Sequence, residues 1–347
     1  MGCFIKKNIM LVFTGDINLT DNNFDVGYGV GSSIRKGLNP FSKILKKENE
    51  YWIGNFEGVT SNVSDITSYA KDCFRIEPSA IKDFKLIDCY GLANNHVMEH
   101  GVKAYHEMDR SLKSMGLSTF GSLQNKSYQF LHEGKKVGIS GFSLRNDQFK
   151  FKPEYWNLPE YSNIVEEFNN IISNDYKIAY IHWGVEFIDH PMVNQIRFAH
   201  WLVDLGYDLL IGMHPHVLQG FEVYKGKYIF YSLGNFVFNM AWEKSKYGAI
   251  VKLNVNNGAV EYDYIKIDKS FSPKVVNSEK VPVELHFETL NQKVANIENP
   301  EPYIEKAKHG LKAYRNANYI SILKNAHKSD FSFTIAILKD FIRRRFK

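Results

Sequence analysis

Cysteine, proline and long apolar runs are all scarce in this chain of 347 residues. The three cysteines, Cys3, Cys73 and Cys89, are odd in number and have no metal-ligand spacing. That pattern excludes a disulfide framework and fits a reducing compartment. No apolar stretch approaches the roughly 20 residues of a membrane-spanning helix. The run after Lys6 and Lys7 is too short for a secretory segment and ends in Gly15-Asp16, so it reads as a buried strand. Met1-Gly2-Cys3 matches neither lipidation pattern, because no apolar stretch precedes Cys3 and Lys6 stands where a myristoylation signal has Ser or Thr. A cytoplasmic location is expected. The net charge of +5 is small for this length, so nucleic acid is not an expected partner.

Apolar material is abundant: 44% of residues are hydrophobic, with 25 Phe, 20 Tyr and 5 Trp. This is enough for a large core and excludes wholesale disorder. Short β-branched runs predict strands at Ile9–Thr14, Trp52–Phe56, Leu86–Leu92, Lys136–Phe142, Lys177–His182 and Asp208–Gly212. Helical spacing of apolar residues predicts helices at Pro40–Lys47, Val102–Met115, Glu160–Ile172 and Val193–Leu205. The alternation predicts an α/β layered domain. Hairpins follow at Phe221–Val237 and Tyr247–Asp268, with turns at Lys225-Gly226 and Asn256-Asn257-Gly258. Ser272–Pro282 reads as loop, and Glu288–Asn296, Pro302–Arg315 and Ala317–His327 read as helices. The expected division is a domain over residues 1–270 and a mainly helical extension over 271–347.

Polar residues stand at the end of one predicted strand, His182, or just past others: Asp16, Glu57, Asn94, Asn95, His96, His214 and His216. In open α/β sheets, sites form outside the carboxyl ends of strands, so these groups can converge. Carboxylates, an amide oxygen and neutral imidazoles together suit borderline divalent ions such as Mn²⁺, Zn²⁺ or Fe²⁺. A carboxylate bridging two ions would give the two-metal arrangement of phosphatases and nucleases.

The segments Thr-Gly-Asp-Ile (14–17), Asn-Phe-Glu (55–57), Cys-Phe-Arg-Ile-Glu-Pro (73–78), Ala-Asn-Asn-His (93–96), His-Trp-Gly-Val-Glu (182–186), Gly-Met-His-Pro-His-Val-Leu-Gln (212–219) and Tyr-Ser-Leu-Gly-Asn-Phe-Val-Phe (231–238) resemble the capsule-synthesis CapA (PGA_cap) family, a branch of the calcineurin-like metallophosphoesterases. The resemblance implies a four-layer α/β sandwich holding two divalent ions. It implies Asp16 and His216 on the first ion, Glu57 bridging, and Asn95, His182 and His214 on the second. It also implies His96 as the acid beside the leaving group and Arg75 facing substrate oxyanions. Three departures stand out. Asn18 occupies the usual position of a histidine, Glu57 replaces an aspartate found in other branches, and Glu99 and His100 replace the Asp-Tyr of an Asn-His-x-x-Asp-Tyr-Gly run. Unequal ion affinities are therefore expected.

The expected function is a metal-dependent phosphoric-ester hydrolase in capsule, surface-polysaccharide or poly-γ-glutamate synthesis. Its expected substrate is a phosphorylated sugar, polyol or glycan. Two alternatives are a non-catalytic assembly factor of a polymer synthase and a metal-dependent amide hydrolase. At the C-terminus, Ile335, Leu338, Phe341 and Ile342 share a helical face beside Lys339, Arg343, Arg344, Arg345 and Lys347. That segment reads either as a helix packed on the domain or as one lying on the inner face of an anionic membrane.

Overall fold

The computed structural model describes residues 10–67, 69–145, 152–296, 301–329, 333–337, 339 and 342. Strand β1 (Met10–Ile17) shows how the layers arise. Leu11 and Phe13 face one core while Val12 and Ile17 face another, and all four are fully buried. Side chains alternate across a strand, so a strand apolar on both faces must be covered twice.

The first sheet runs β16 (Pro273–Val276), β15 (Val260–Ile267), β14 (Tyr247–Asn254), β1, β2 (Glu50–Phe56), β5 (Cys89–Gly91) and β6 (Ser118–Phe120), with β13 (Asn235–Val237) also pairing β1. The second runs β11 (Leu218–Tyr224), β12 (Lys227–Leu233), β10 (Leu209–Met213), β9 (Tyr176–His182), β8 (Lys135–Ser143) and β7 (Ser127–His132). A short parallel pair, β3 (Val59–Thr60) and β4 (Arg75–Ile76), stands apart. Leu11, Phe13 and Ile53 of the first sheet meet Ile139, Ile178 and Ile211 of the second in one buried layer. Each such side chain contributes about 1.5–3 kcal/mol on burial, so this layer holds the sheets face to face.

The outer faces are covered by helices. Short α1 (Val30–Ile34) and α2 (Pro78–Ile81) join α3 (Val102–Ser114) on the first sheet, through Val30, Ile81, Ala104, Met108 and Leu112. On the second, α4 (Tyr161–Ile171) and α5 (Val193–Leu205) pack Ile164, Phe168, Ala199 and Leu202 against Ala179, Ile181 and Leu210. The result is the expected four-layer α/β sandwich.

Two local expectations are corrected. Pro40–Lys47 forms turns, not a helix: Asn39 Oδ1 accepts the Phe41 N–H at 3.0 Å, a local bond that competes with helix. Ser272–Pro282 contains the edge strand β16, whose proline takes its first position, where no ladder donor is lost. Val281 and Leu285 then enter the inter-sheet core together with Phe287 and Leu290 of α6 (Phe287–Ala295). The two helices expected after it are one, α7 (Glu301–Asn325). Among the described residues no helix is long and apolar enough to cross a membrane. Cys3, and Leu338, Phe341, Arg343, Arg344, Arg345 and Lys347 of the basic C-terminal pattern, lie outside the described residues.

Candidate metal centre

Register brings the strand ends to one place. β1, β2 and β5 are parallel, with Asp16 opposite Asn55 and Asn55 opposite Gly91. In the other sheet Ser143, His182 and Met213 lie in line across β8, β9 and β10. Glu57 therefore follows β2, Asn94 to His96 follow β5, and His214 follows β10. The inward set of β9 is Ile178 and Tyr180, and the same alternation turns His182 toward the seam between the sheets.

Asp16, Glu57, His182, His214 and His216 are all buried and form one cluster. Ligand atoms of Asp16, Glu57 and His182 lie within 4.8 Å of one another, as do those of Glu57, His214 and His216. Glu57 is the residue common to both groups. The pairings that the resemblance implied are close as well: His216 Nδ1 is 3.4 Å from Asp16 Oδ2 and the His182 and His214 rings are 4.5 Å apart, with Glu57 in the middle. Asn95 joins through its Oδ1, which accepts from His182 Nε2 at 2.7 Å. His96 Nε2 is 3.7 Å from Glu57 Oε1.

Both Glu57 carboxylate oxygens are buried without a hydrogen-bond partner, as is His214 Nδ1. A buried carboxylate is costly unless a cation or donors neutralise it, and a divalent ion would meet this need. Burial, reinforced by the Asp16 charge, pushes the Glu57 carboxyl well above its usual range. Burial also opposes charge on Asp16, yet His216 and His182 hold its carboxyl low. His182 and His214 are kept neutral chiefly by burial, the form in which imidazole binds metal. His216 is pushed up to about 10: burial works against its charge, but the Glu57 and Asp16 carboxylates outweigh it. In the cation-free protein a proton on His216 thus supplies part of the missing positive charge. A divalent ion must displace that proton. Uptake near pH 7 should release at least one proton, and apparent affinity should rise about tenfold per pH unit for each proton displaced. Calorimetry in buffers of different ionisation enthalpy measures this directly. Uptake without proton release would contradict the arrangement.

Asparagines orient the first set of side chains. Asn55 Nδ2 donates to Asp16 Oδ1 at 2.8 Å, and Asn94 Nδ2 donates to Asn55 Oδ1 at 2.9 Å. The His214 N–H donates to Asp16 Oδ2 at 3.1 Å. His216 Nδ1 donates to Asn235 Oδ1 at 2.9 Å, leaving Nε2 toward Glu57 at 3.6 Å. Such outer contacts fix imidazole tautomer and aim. Backbone strain gathers here too, since His214, His216, Phe74 and Phe187 all have positive φ. For non-glycine residues this costs about 1–3 kcal/mol each and persists only where the surroundings impose it.

Two expected positions differ. Asn18 turns its Oδ1 to the Thr20 N–H and hydroxyl at 2.7 and 2.6 Å, away from a ligand role. Arg75 has all three donor nitrogens engaged, with Lys71 O, Ser61 O and Asp72. Its place facing the cluster is not realised. Arg145 stands there instead, with Nη1 2.6 Å from His214 Nε2 and Nη2 3.6 Å from Glu186. It follows β8 by two residues, so the strand-end rule that found His182 applies equally to it. Glu99 is the other omission: its Oε1 is 2.7 Å from His96 Nδ1, and the ring of His96 stacks on Phe74 at 3.8 Å.

The family model described as "Bacterial capsule synthesis protein PGA_cap" matches residues 10–240. Among curated proteins, the chain is similar to "Capsule biosynthesis protein CapA" of Bacillus anthracis, 32% identical over 300 residues that cover 79% of this chain and 71% of that one. It is also similar to "PGA biosynthesis protein CapA" of Bacillus subtilis (strain 168), 30% identical over 240 residues covering 64% and 62%. Among solved structures, it aligns with one described as a novel phosphatase from Mycoplasma pneumoniae at a TM-score of 0.47 and 14% identity, over 76% of this chain and 95% of that one.

Proposed function

Because the chain belongs to the bacterial capsule synthesis protein (PGA_cap) family, we propose that it is a metal-dependent phosphoric-ester hydrolase acting in the synthesis of a capsule or similar surface polymer. The observation that carries this reading is Glu57, a fully buried carboxylate with no hydrogen-bond partner, shared by two groups of ligand atoms. A shared carboxylate between two such groups is what a pair of divalent ions (Mn, Fe or Zn) requires. Asp16, Glu57, Asn95, His182, His214 and His216 would hold them. When bound, such ions act as Lewis acids toward phosphoryl oxygens and lower the pKa of water.

The chain's own residues supply the rest. Glu99 and the Phe74 ring hold His96 so that Nε2 faces the cluster, where it donates a proton to the departing alkoxide. Arg145, against His214 and Glu186, adds positive charge beside developing oxyanion charge. The substrate class proposed is a small phosphomonoester of a sugar, polyol or glycan, since the modest net charge of +5 offers little to a polynucleotide. The names of the relatives speak of biosynthesis and favour a second reading, an accessory factor in which the metal is structural.

The test is a panel of phosphate esters with purified full-length protein and added Mn²⁺, Zn²⁺ or Fe²⁺. Turnover of a panel member, abolished by chelation and by His214→Ala, is expected. Protein that binds its metal and hydrolyses no member would leave the accessory reading in place.

A further inference from the structure

Beside the candidate centre is a cleft of ≈ 290 Å³, and one of its walls comes from α7. His96, His216 and Glu186 line it together with Tyr314, Arg315 and Tyr319 of that helix. The metal-ligand candidates all lie within the residues the family model matches, 10–240, and α7 (Glu301–Asn325) lies wholly beyond that range.

The helix is seated in a defined register. The Tyr314 ring stacks on Phe187 at 4.3 Å, and Phe24 meets Tyr314 and Tyr319 edge-on at 5.8 and 6.0 Å. At Gly310 a Cβ would stand 2.7 Å from the Phe187 carbonyl oxygen, so only glycine permits this approach. Phe187 itself has positive φ and also packs near His216. A chain of contacts thus runs from the centre through Phe187 to α7, and Arg315 follows Tyr314 directly.

Arg315 is half-buried, yet among the described residues it has no hydrogen bond or ion pair. Arg35 pairs with Glu77, Arg75 with Asp72 and Arg145 with Glu186, while Arg110 and Arg197, which like Arg315 have no such partner among the described residues, are exposed. A guanidinium carries five donors in a planar fork suited to carboxylate or phosphate. Facing a cleft with that fork unpaired, it is placed to take an oxyanion from whatever enters. The remaining wall is apolar and aromatic, with Phe24, Phe74, Phe238 and Met240, a surface for carbon and not for a second charge.

We propose that Arg315 is a substrate-binding residue that takes an oxyanion borne on the substrate's carbon body, apart from the group that reacts at the metal centre. The substrate class is thereby narrowed to an ester with a second anionic group, a carboxylate or a phosphate, joined by a body that lies along the aromatic wall. This rests on the hydrolase reading of the same centre.

The experiment measures binding by calorimetry on the full-length chain with Mn²⁺, using two probes. Tri-γ-glutamate offers carboxylates alone, and fructose 1,6-bisphosphate offers a second phosphate. Arg315→Ala should weaken one of them about tenfold or more, the loss of a charge-assisted bidentate contact, and the probe affected identifies the anion. Arg315→Lys should recover part of the loss, and Arg315→Gln should not. With an ester that turns over, Arg315→Ala should raise KM more than it lowers kcat. Wild-type protein that binds neither probe, or an Arg315→Ala protein that binds both within twofold of wild type, overturns the assignment. Binding that depends on Arg315 in a protein that hydrolyses no ester overturns the hydrolase reading alone.

Discussion

Glu57→Gln is expected to have opposite effects on activity and on metal-free stability. Under the hydrolase reading, turnover with added metal should fall at least about 10²–10³-fold, several kcal/mol of transition-state stabilisation. The metal-free protein should instead unfold at a higher temperature. Glutamine keeps the shape of Glu57 and removes a buried charge whose two oxygens have no hydrogen-bond partner, a change of about 1–3 kcal/mol. The sign with pH follows from the direction of the shift. The Glu57 carboxyl titrates well above its usual range in the folded chain. Its penalty is therefore absent in acid and grows as pH rises through the folded value, so the advantage of the variant should widen toward alkaline pH. Metal should no longer stabilise the variant, whereas the native chain gains about 2.7 kcal/mol at an ion concentration 100 times its dissociation constant. Thermal melts with and without Mn²⁺ at two pH values resolve both parts. A variant less stable than the native chain without metal would remove Glu57 from the centre.

His96→Asn is expected to leave metal content unchanged and to cost about 10²–10⁴-fold in kcat on an alkyl phosphate, the range for a positioned general acid. On p-nitrophenyl phosphate the loss should be much smaller, because that leaving group departs without a proton. Glu99→Gln should cost less than His96→Asn. Glu99 acts through His96, by way of the 2.7 Å contact with Nδ1, so the loss in its variant should likewise shrink on p-nitrophenyl phosphate. Equal losses on the two esters would show that His96 is not the acid.

The layered fold was readable because alternation within strands is a local property. Leu11 and Phe13 against Val12, or Ile178 and Tyr180 against Ala179, state their two faces in the order of the residues. The metal-ligand candidates were readable for a related reason, since each lies at or just past the end of a strand that could be placed. What escaped depends on partners remote in the chain. Arg75 and Arg145 carry the same side chain, and only tertiary contact decides that Asp72 and the Ser61 carbonyl take one while His214 takes the other. β16 escaped because an edge strand needs only one neighbour, β15, and so carries a weak apolar pattern of its own. The place of α7 over the cleft rests on Gly310 meeting Phe187, two residues more than 120 positions apart.

The seam between the sheets also governs how the centre comes into being. Its side chains are drawn from Asp16 at one extreme and His216 at the other, 200 positions along the chain. No short peptide of this protein holds more than two of them, as Asn95-His96 and His214-Pro215-His216 do. Loops of that length close late, after the local helices and hairpins have formed. The nascent chain would therefore be blind to an ion: it must dock both sheets on apolar contacts, with only the His216 proton set against the buried carboxylates until it has done so. An ion that arrived afterwards would act as a latch, holding a completed sandwich shut by slowing its opening while leaving the speed of its assembly untouched.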